Sequence, residues 1–505
     1  MFFDFFLLKR KLKKSFRLIW IKSIWIKKWG EKIVFIGREK ELKTLEDLYS
    51  KDGIGMTIIY GFKHIGKTTL IAEFIKNKKA IFYTATKVGK ERNIELFARQ
   101  VVATLLPALD NIKFESLESI FDFINKTIGK EKLILVIDEL PYWAEKDDAL
   151  LSILQKYVDS IWNDKNLKII LCGSSLSFME NKVLSEKSPI FGRRESQIKL
   201  EAFDYLESAK FVPNYSYEDK AICYGITGGI AKYLSLINQN KSIDENIIDL
   251  FFKTNGYLYD ETRNLLTQEF SDISLVNNII EKIASGENTV NLIANKVGEK
   301  ESTILYSLDK LISVGLIEKK KCITEENNKK KTQYVLRDNM FKFWYEFIPK
   351  ATSVIEINKG DLYFNKVVRP KLHEYMGSIF ENMCRYYTLV HGIQGDFDCF
   401  ITNVGSWWGN EITINSNGEK KNQPTDIDVV GISTIDKKYV IGECKFKNEV
   451  IDKSIYDTLV KRATLISTKY KISKYILFSL SGFSDWFKTQ NNDNIVLISL
   501  SELYK

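Results

Sequence analysis

Residues 61–68 read Gly-Phe-Lys-His-Ile-Gly-Lys-Thr, between an apolar run, Met56 to Tyr60, and a helix-like run, Thr69 to Ile75. A strand that enters a glycine loop and leaves through a helix is the setting in which G-x-x-x-x-G-K-T cradles phosphate. Gly61 and Gly66 let the backbone turn tightly and aim its N–H groups at phosphate oxygens. The N-terminus of the following helix adds the positive end of its dipole. The loop residues Gly61, Phe62, Lys63, His64, Ile65, Gly66, Lys67, Thr68 and Thr69 are therefore expected to hold a nucleotide. Lys67 would reach the β- and γ-phosphates, and the Thr68 hydroxyl would face Mg²⁺.

The segments after the loop extend this pattern. Ala80 to Ala85 reads as a short strand, and residues 91–106 and 115–128 read as helices. Leu133 to Ile137 is a continuous apolar run, as expected of a parallel strand buried on both faces, and it ends in Asp138 and Glu139. A carboxylate at a strand's C-terminal end falls where the phosphate loop also falls. Asp138 is expected to hold Mg²⁺, directly or through water, and Glu139 to orient and deprotonate the attacking water. The next strand, from Lys168, ends in Gly173-Ser174-Ser175. Either serine would touch the γ-phosphate or the lytic water, or cap a helix before Phe178. Arg193 and Arg194, ahead of a strand from Gln197 to Leu200, suit an arginine finger, in cis or from a neighbouring subunit of a homo-oligomer. The competing reading is a surface arginine paired with a carboxylate.

Gly37-Arg38-Glu39-Lys40-Glu41-Leu42, the phosphate loop, the Ile137-Asp138-Glu139-Leu140 tip, the Gly173-Ser174-Ser175 tip, Phe191-Gly192-Arg193-Arg194 and Thr227-Gly228-Gly229-Ile230-Ala231-Lys232-Tyr233-Leu234 together resemble the archaeal ATPase family. That family belongs to the signalling-type, AAA-like ATPases with an extra strand between the phosphate loop and the acidic strand. The resemblance covers about residues 33–340 and implies ATP binding and hydrolysis. The family usually has proline where this chain has Ala231.

The organisation expected is a basic extension (1–32), a P-loop ATPase core (33–203), a helical lid (204–270), a winged helix (271–340), a connector (341–370) and a C-terminal domain (371–505). The winged helix rests on helices over 275–284, 289–297 and 301–314, then two short strands, 316–321 and 331–336, flanking a polar turn. Wing residues Lys319, Lys320, Lys321, Lys329, Lys330 and Lys331 are placed to contact phosphates, which makes double-stranded DNA a candidate partner. The third helix carries Glu301 and Asp309 against Lys310 and is not basic, which argues against base readout.

In the C-terminal part, a helix over 373–389 carries Glu381, strands run over 399–404, 425–430 and 439–445, and a helix covers 452–468. Asp428 and Glu443 lie on neighbouring strands, and Lys445 shares a strand face with Glu443 by the period of two. Carboxylates so placed hold Mg²⁺, and a lysine beside them positions a water for phosphodiester hydrolysis. Ile427-Asp428-Val429-Val430 and Glu443-Cys444-Lys445 resemble the PD-(D/E)-x-K nuclease superfamily. More narrowly, the segment is similar to a C-terminal domain of unknown function often fused to archaeal ATPases. The resemblance implies a restriction-endonuclease-like α/β domain with Glu381, Asp428 and Glu443 as metal ligands and Asp428, Glu443 and Lys445 as catalytic residues. The whole chain is thus expected to be a multidomain α/β protein that couples ATP hydrolysis to DNA cleavage or binding. The alternative is an ATP-driven signalling switch whose C-terminal domain binds a partner or DNA without cutting.

Charge and cysteine usage narrow these classes. Residues 1–32 carry ten Lys/Arg against Asp4 and Glu31, which is +8 of the net +9 of the chain. The remainder is nearly neutral, so a nucleic-acid role must come from local patches. The extension reads either as a basic amphipathic helix on a membrane surface or partner, or as a loosely packed tail. Termini are seldom ordered, so the second is preferred and no membrane contact is expected. Six cysteines with no C-x-x-C pair indicate a reducing, cytoplasmic setting, and three scattered histidines give no zinc-ligand spacing.

Overall fold

The computed structural model describes residues 35–108, 112–328, 331–414, 420–466, 469–490 and 492–505. The basic extension and wing residues Lys329 and Lys330 lie outside the described residues. The chain forms two compact units that divide between Glu201 and Ala202.

The first unit is built on a parallel five-stranded sheet of β1 (Gly55–Gly61), β2 (Ala80–Thr84), β3 (Leu133–Asp138), β4 (Leu167–Gly173) and β5 (Ser196–Leu200), in the order β2-β3-β4-β1-β5. The extra strand expected between loop strand and acidic strand is β4. Alternation along the strands explains the layers. Leu133, Leu135 and Ile137 join one apolar core with the helices Lys90–Leu105 and Leu117–Ile128. Ile134 and Val136 join the other, with the helices Glu39–Ser50 and Lys67–Phe74. Both faces are covered, which is why these strands read as unbroken apolar runs.

The second unit begins with short helices through Glu269. Ala231 is the first residue of the helix Ala231–Leu234. At that position a proline would lose no helix hydrogen bond, so alanine and proline both fit. Three helices follow, Ile273–Ala284, Val290–Val297 and Glu301–Ser313, with Asp272 and Thr289 accepting capping N–H groups at the first two. The antiparallel pair β6 (Ile317–Lys320) and β7 (Gln333–Leu336) comes next.

The C-terminal sheet has the order β12-β11-β10-β9-β8, from β8 (Asn403–Ile414), β9 (Lys420–Ser433), β10 (Lys438–Lys445), β11 (Lys471–Ser479) and β12 (Ile495–Ser499). Strands β8 to β10 are antiparallel, and β10 to β12 are parallel. In place of the expected strands at 399–404 and 425–430 stands the long antiparallel pair β8 and β9. Cross-strand pairing carries β8 past Trp407 and Trp408, through a register shift between Gly405 and Trp407. The 26-residue helix Arg369–Gln394 packs on β8, β9 and β10. Among the described residues no helix is long and apolar enough to cross a membrane.

Candidate functional site

In the first unit the loop backbone turns as a phosphate cradle requires. His64 has φ 65° and Gly66 φ 100°, both left-handed. Gly61 pairs with Leu200 of β5, and a Cβ on Gly61 would collide with the Leu200 carbonyl. Lys67, 5 % exposed, donates from Nζ to the carbonyls of Gly61 and Phe62, each at 2.9 Å. Arg38, whose own φ is 67°, donates to the carbonyls of Ile65 at 3.4 Å and Glu201 at 2.6 Å. It ties the entry box to the loop, a role not legible from the G-R-E-x-E-L pattern.

The acidic tip meets the loop. Thr68 Oγ1 donates to Asp138 Oδ2 at 2.9 Å, and Asp138 is 2 % exposed. Its other oxygen accepts the Glu139 N–H at 3.0 Å. Glu139 adopts φ 51° and presents Oε2 to Ser174, which donates from Oγ at 2.7 Å and from its N–H at 3.3 Å. Ser175 caps the turn instead, accepting the Phe178 N–H. The two readings of the serine tip thus divide between adjacent residues. Burial, with Asp138 nearby, pushes the Cys172 thiol well up and keeps it neutral.

Arg193 makes a forked pair with Asp159, at 2.9 Å from both Nε and Nη2. Arg194 donates to the Leu184 carbonyl at 3.3 Å and lies 5.6 Å from the Phe191 ring centre. For Arg193 to act at a γ-phosphate, the Asp159 pair must first open.

In the second unit, the β9–β10 ladder ends at Val429 opposite Gly442. Asp428 is the next residue on β9, at the fork, and its Oδ2 accepts the Cys444 N–H at 2.9 Å. Lys445 Nζ bonds Glu443 Oε1 at 2.6 Å, as the shared strand face implies. Glu443 is 7 % exposed; its Oε2 has no hydrogen-bond partner among the described residues, and Arg462 Nη1 stands 3.7 Å away. Burial opposes the Lys445 charge, but Glu443 and Asp428 outweigh it and raise the ammonium above its ordinary value.

Glu381, Asp428 and Glu443 are expected to converge on one metal. Among the described residues no group of three His, Cys, Asp or Glu side chains is placed to hold a metal ion. Strand alternation is the reason. Ile441 and Glu443 face the helix Lys453–Ala463, which brings Leu459 into the core and Arg462 to Glu443. The helix bearing Glu381 covers the other face, where Phe380 meets Phe446 at 5.3 Å. Glu381 is in turn drawn to Arg385, four residues on, at 3.3 Å, and Arg385 also donates to the Asp428 carbonyl at 2.6 Å. The residues present do not form the expected Mg²⁺ cradle, so no metal-dependent step is derived there.

Asp428 carries the electrostatic cost of this crowding. Burial, then the charges of Glu443 and Glu381, raise its carboxyl to about 8 from 3.8. The folded state therefore holds a proton that the unfolded chain releases above pH 4. Stability contributed by this proton is present at acid pH and is lost as pH climbs toward 8. Asp428→Asn, which mimics the protonated acid, should flatten that loss. Thermal unfolding of the full chain and the variant from pH 5 to 9 measures it; equal slopes would show the shift to be absent.

Sequence reasoning missed Asp426, Ser406, Trp408 and Gln333, which line a cavity of about 100 Å³ with Lys320, Glu381 and Asp428. Only Asp426 had a local signal, two positions before Asp428. The wing lysines are largely engaged: Lys319 pairs with Asp309 at 3.3 Å and Lys331 with Glu325 at 2.5 Å, while Lys321 is exposed.

Comparison with known proteins agrees with the P-loop geometry. A family described as an ATPase domain predominantly from Archaea matches residues 35–237, and a family of archaeal and bacterial proteins of unknown function matches 344–465. An uncharacterized protein of Methanocaldococcus jannaschii is 29% identical over 437 residues, 86% of this chain and 92% of that protein. An uncharacterized ATP-binding protein of the same organism is 25% identical over 279 residues, 46% of this chain and 76% of that protein. Among solved structures, a Walker-type ATPase of Pyrococcus abyssi is similar with a TM-score of 0.49 and 20% identity, covering 64% of this chain and 99% of that one. The ORC2 protein of Aeropyrum pernix, in ADPNP–ADP complexes, gives a TM-score of 0.45 and 15% identity over 65% of this chain and 97% of that one. The phosphate loop and acidic tip of the first unit thus lie within the segment, residues 35–237, that matches the ATPase-domain family found predominantly in Archaea, and the C-terminal acidic residues lie within the segment, 344–465, that matches the family of unknown function.

Proposed function

We propose that the chain is an ATP-hydrolysing switch whose C-terminal domain recognises a partner and, in the arrangement described, does not cut nucleic acid. The observation that carries the ATPase reading is the contact of Thr68 Oγ1 with Asp138, 2.9 Å, beside Glu139 held by Ser174. A hydroxyl and a carboxylate oxygen this close are the hard donors that suit Mg²⁺, which keeps several waters of its own. When bound with ATP, Mg²⁺ would supply charge neutralisation on the phosphate oxygens. The loop N–H groups and Lys67 would bind the β- and γ-phosphates and take up charge as the γ-phosphoryl is transferred. Glu139 would accept the proton of the water that attacks phosphorus, while ADP leaves. Ser174 would hold that carboxylate in line. Arg193, paired with Asp159, is given a structural role.

The no-cutting reading rests on the basic partners these carboxylates have acquired, Arg385 for Glu381 and Lys445 with Arg462 for Glu443. The test uses the full chain with Mg²⁺. It should turn over ATP, Asp138→Asn should lose that turnover, and supercoiled plasmid should stay intact. ATP turnover insensitive to Asp138→Asn would overturn the first half of the proposal, and nicking abolished by Asp428→Ala the second.

A further inference from the structure

A cavity of about 430 Å³ opens among the helix Ile273–Ala284, strand β7, the helix Asn339–Phe347 and the helix Arg369–Gln394. That size suits a small organic molecule rather than a lone ion. Ile283, Leu336 and Phe347 give the cavity buried apolar walls. Lys342 and Glu346 enter from one helix at a spacing of four, and Lys371, Glu374 and Ser378 follow one stripe of the other. The charges of this lining do not cancel in pairs. Glu346, four residues from Lys342, takes Lys350 on its other side instead, at 3.2 Å. Among the described residues Lys342, Lys371 and Glu374 form no ion pair or side-chain hydrogen bond. Two ammonium groups therefore stand against one free carboxylate, an excess of one positive charge. Lys342 is partly buried, and burial pulls its ammonium below the ordinary lysine value, against the weaker opposing influence of Glu318 and Glu381. An ammonium drawn out of water without a partner costs the fold unless an anion answers it.

We propose that this cavity binds a small organic monoanion with an apolar body, its charged head on Lys342 and its body against Ile283, Leu336 and Phe347. The apolar walls supply affinity by burial, and the unpaired ammonium selects the charge. A ligand so seated bridges β7 and the helix before the hairpin to the long helix Arg369–Gln394. Binding there requires neither ATP hydrolysis nor a metal.

The test is fluorescence titration of the full chain with 8-anilinonaphthalene-1-sulfonate, an anion of this kind, beside N-phenyl-1-naphthylamine, the same rings without the sulfonate. Wild type should show a saturable site that takes the sulfonate more tightly than the neutral amine. Lys342→Met keeps the stem and removes the charge. It should weaken the sulfonate about tenfold, the order expected for losing one charged hydrogen bond, and leave the amine unchanged. Lys342→Arg, which keeps the charge, should stay close to wild type. Ser378→Trp, which fills the cavity from the long helix, should lose both probes. Millimolar inorganic phosphate, an anion without an apolar body, should not displace the sulfonate. Without probe, Lys342→Met should unfold at the wild-type temperature or above, because it removes a charge that lacks a partner. The proposal is overturned if the wild type has no saturable sulfonate site, or if Lys342→Met leaves that site unchanged. It is overturned equally if the site survives Ser378→Trp, since the probe then sits elsewhere. Displacement by phosphate would make this an inorganic-anion site and overturn the apolar half. A marked fall in the unfolding temperature of Lys342→Met would give the ammonium a structural partner and overturn its availability to a ligand.

Discussion

Lys67→Ala should lower ATP hydrolysis by roughly 10²–10³-fold, the cost of removing one preorganised charged donor from a site of developing negative charge. The side chain is nearly buried, and its ammonium already lies within the loop, bonded to the Gly61 and Phe62 carbonyls. A short swing from those carbonyls brings it to phosphates seated in the same cradle. Because the charge contacts phosphate in both bound and transition states, nucleotide binding should weaken along with turnover. The loop also loses two internal hydrogen bonds, so a fold check is required. Thermal unfolding of the variant without nucleotide should stay close to wild type, while the stabilisation conferred by ATP disappears. Unchanged turnover in a folded Lys67→Ala protein would remove the phosphate loop from the mechanism.

Glu139→Gln should stop turnover with a loss of roughly 10²–10⁴-fold, the range for a positioned general base, while ATP binding is kept. Glutamine preserves shape and still accepts from Ser174 through its carbonyl, but it takes no proton. The unusual backbone at Glu139, φ 51°, aims the side chain back toward the tip of β4, where Ser174 waits. Single-turnover measurements with pre-bound ATP separate this effect from binding. A Ser174→Ala variant should give a smaller fall, since it releases the base without deleting it. If Glu139→Gln hydrolyses ATP at the wild-type rate, the proton leaves by another route and the role assigned to Glu139 is wrong.

Much of the first unit was legible along the chain because its signals are local. The phosphate loop needs glycine at tight or left-handed positions, and those residues lie within eight positions of one another. The strands β1, β3 and β4 announce themselves as apolar runs because both faces are covered, and Asp138 marks where the third run reaches its polar end. Period-two spacing likewise placed Lys445 beside Glu443. The helix expected over 289–297, found as Val290–Val297, was readable for the same reason.

What only the tertiary structure decided depends on which elements are packed together. Ser174 and Ser175 are chemically alike, and sheet order alone sends the first to Glu139 and the second to a helix cap. Arg193 finds Asp159, which sits 34 positions earlier in sequence. Glu381 pairs with Arg385 on its own helix, while Glu443 takes Lys445 and, from another helix, Arg462. Lys320 read as a wing lysine placed to contact phosphates, and its place in the lining of a cavity with Glu381, Asp426 and Asp428 depends on residues 61 to 108 positions further along the chain. The sequence by itself determined the chemistry that a single strand, turn or helix can present. Partners drawn from far along the chain were settled by long-range burial, because one residue's place in a packed layer depends on every element that covers it.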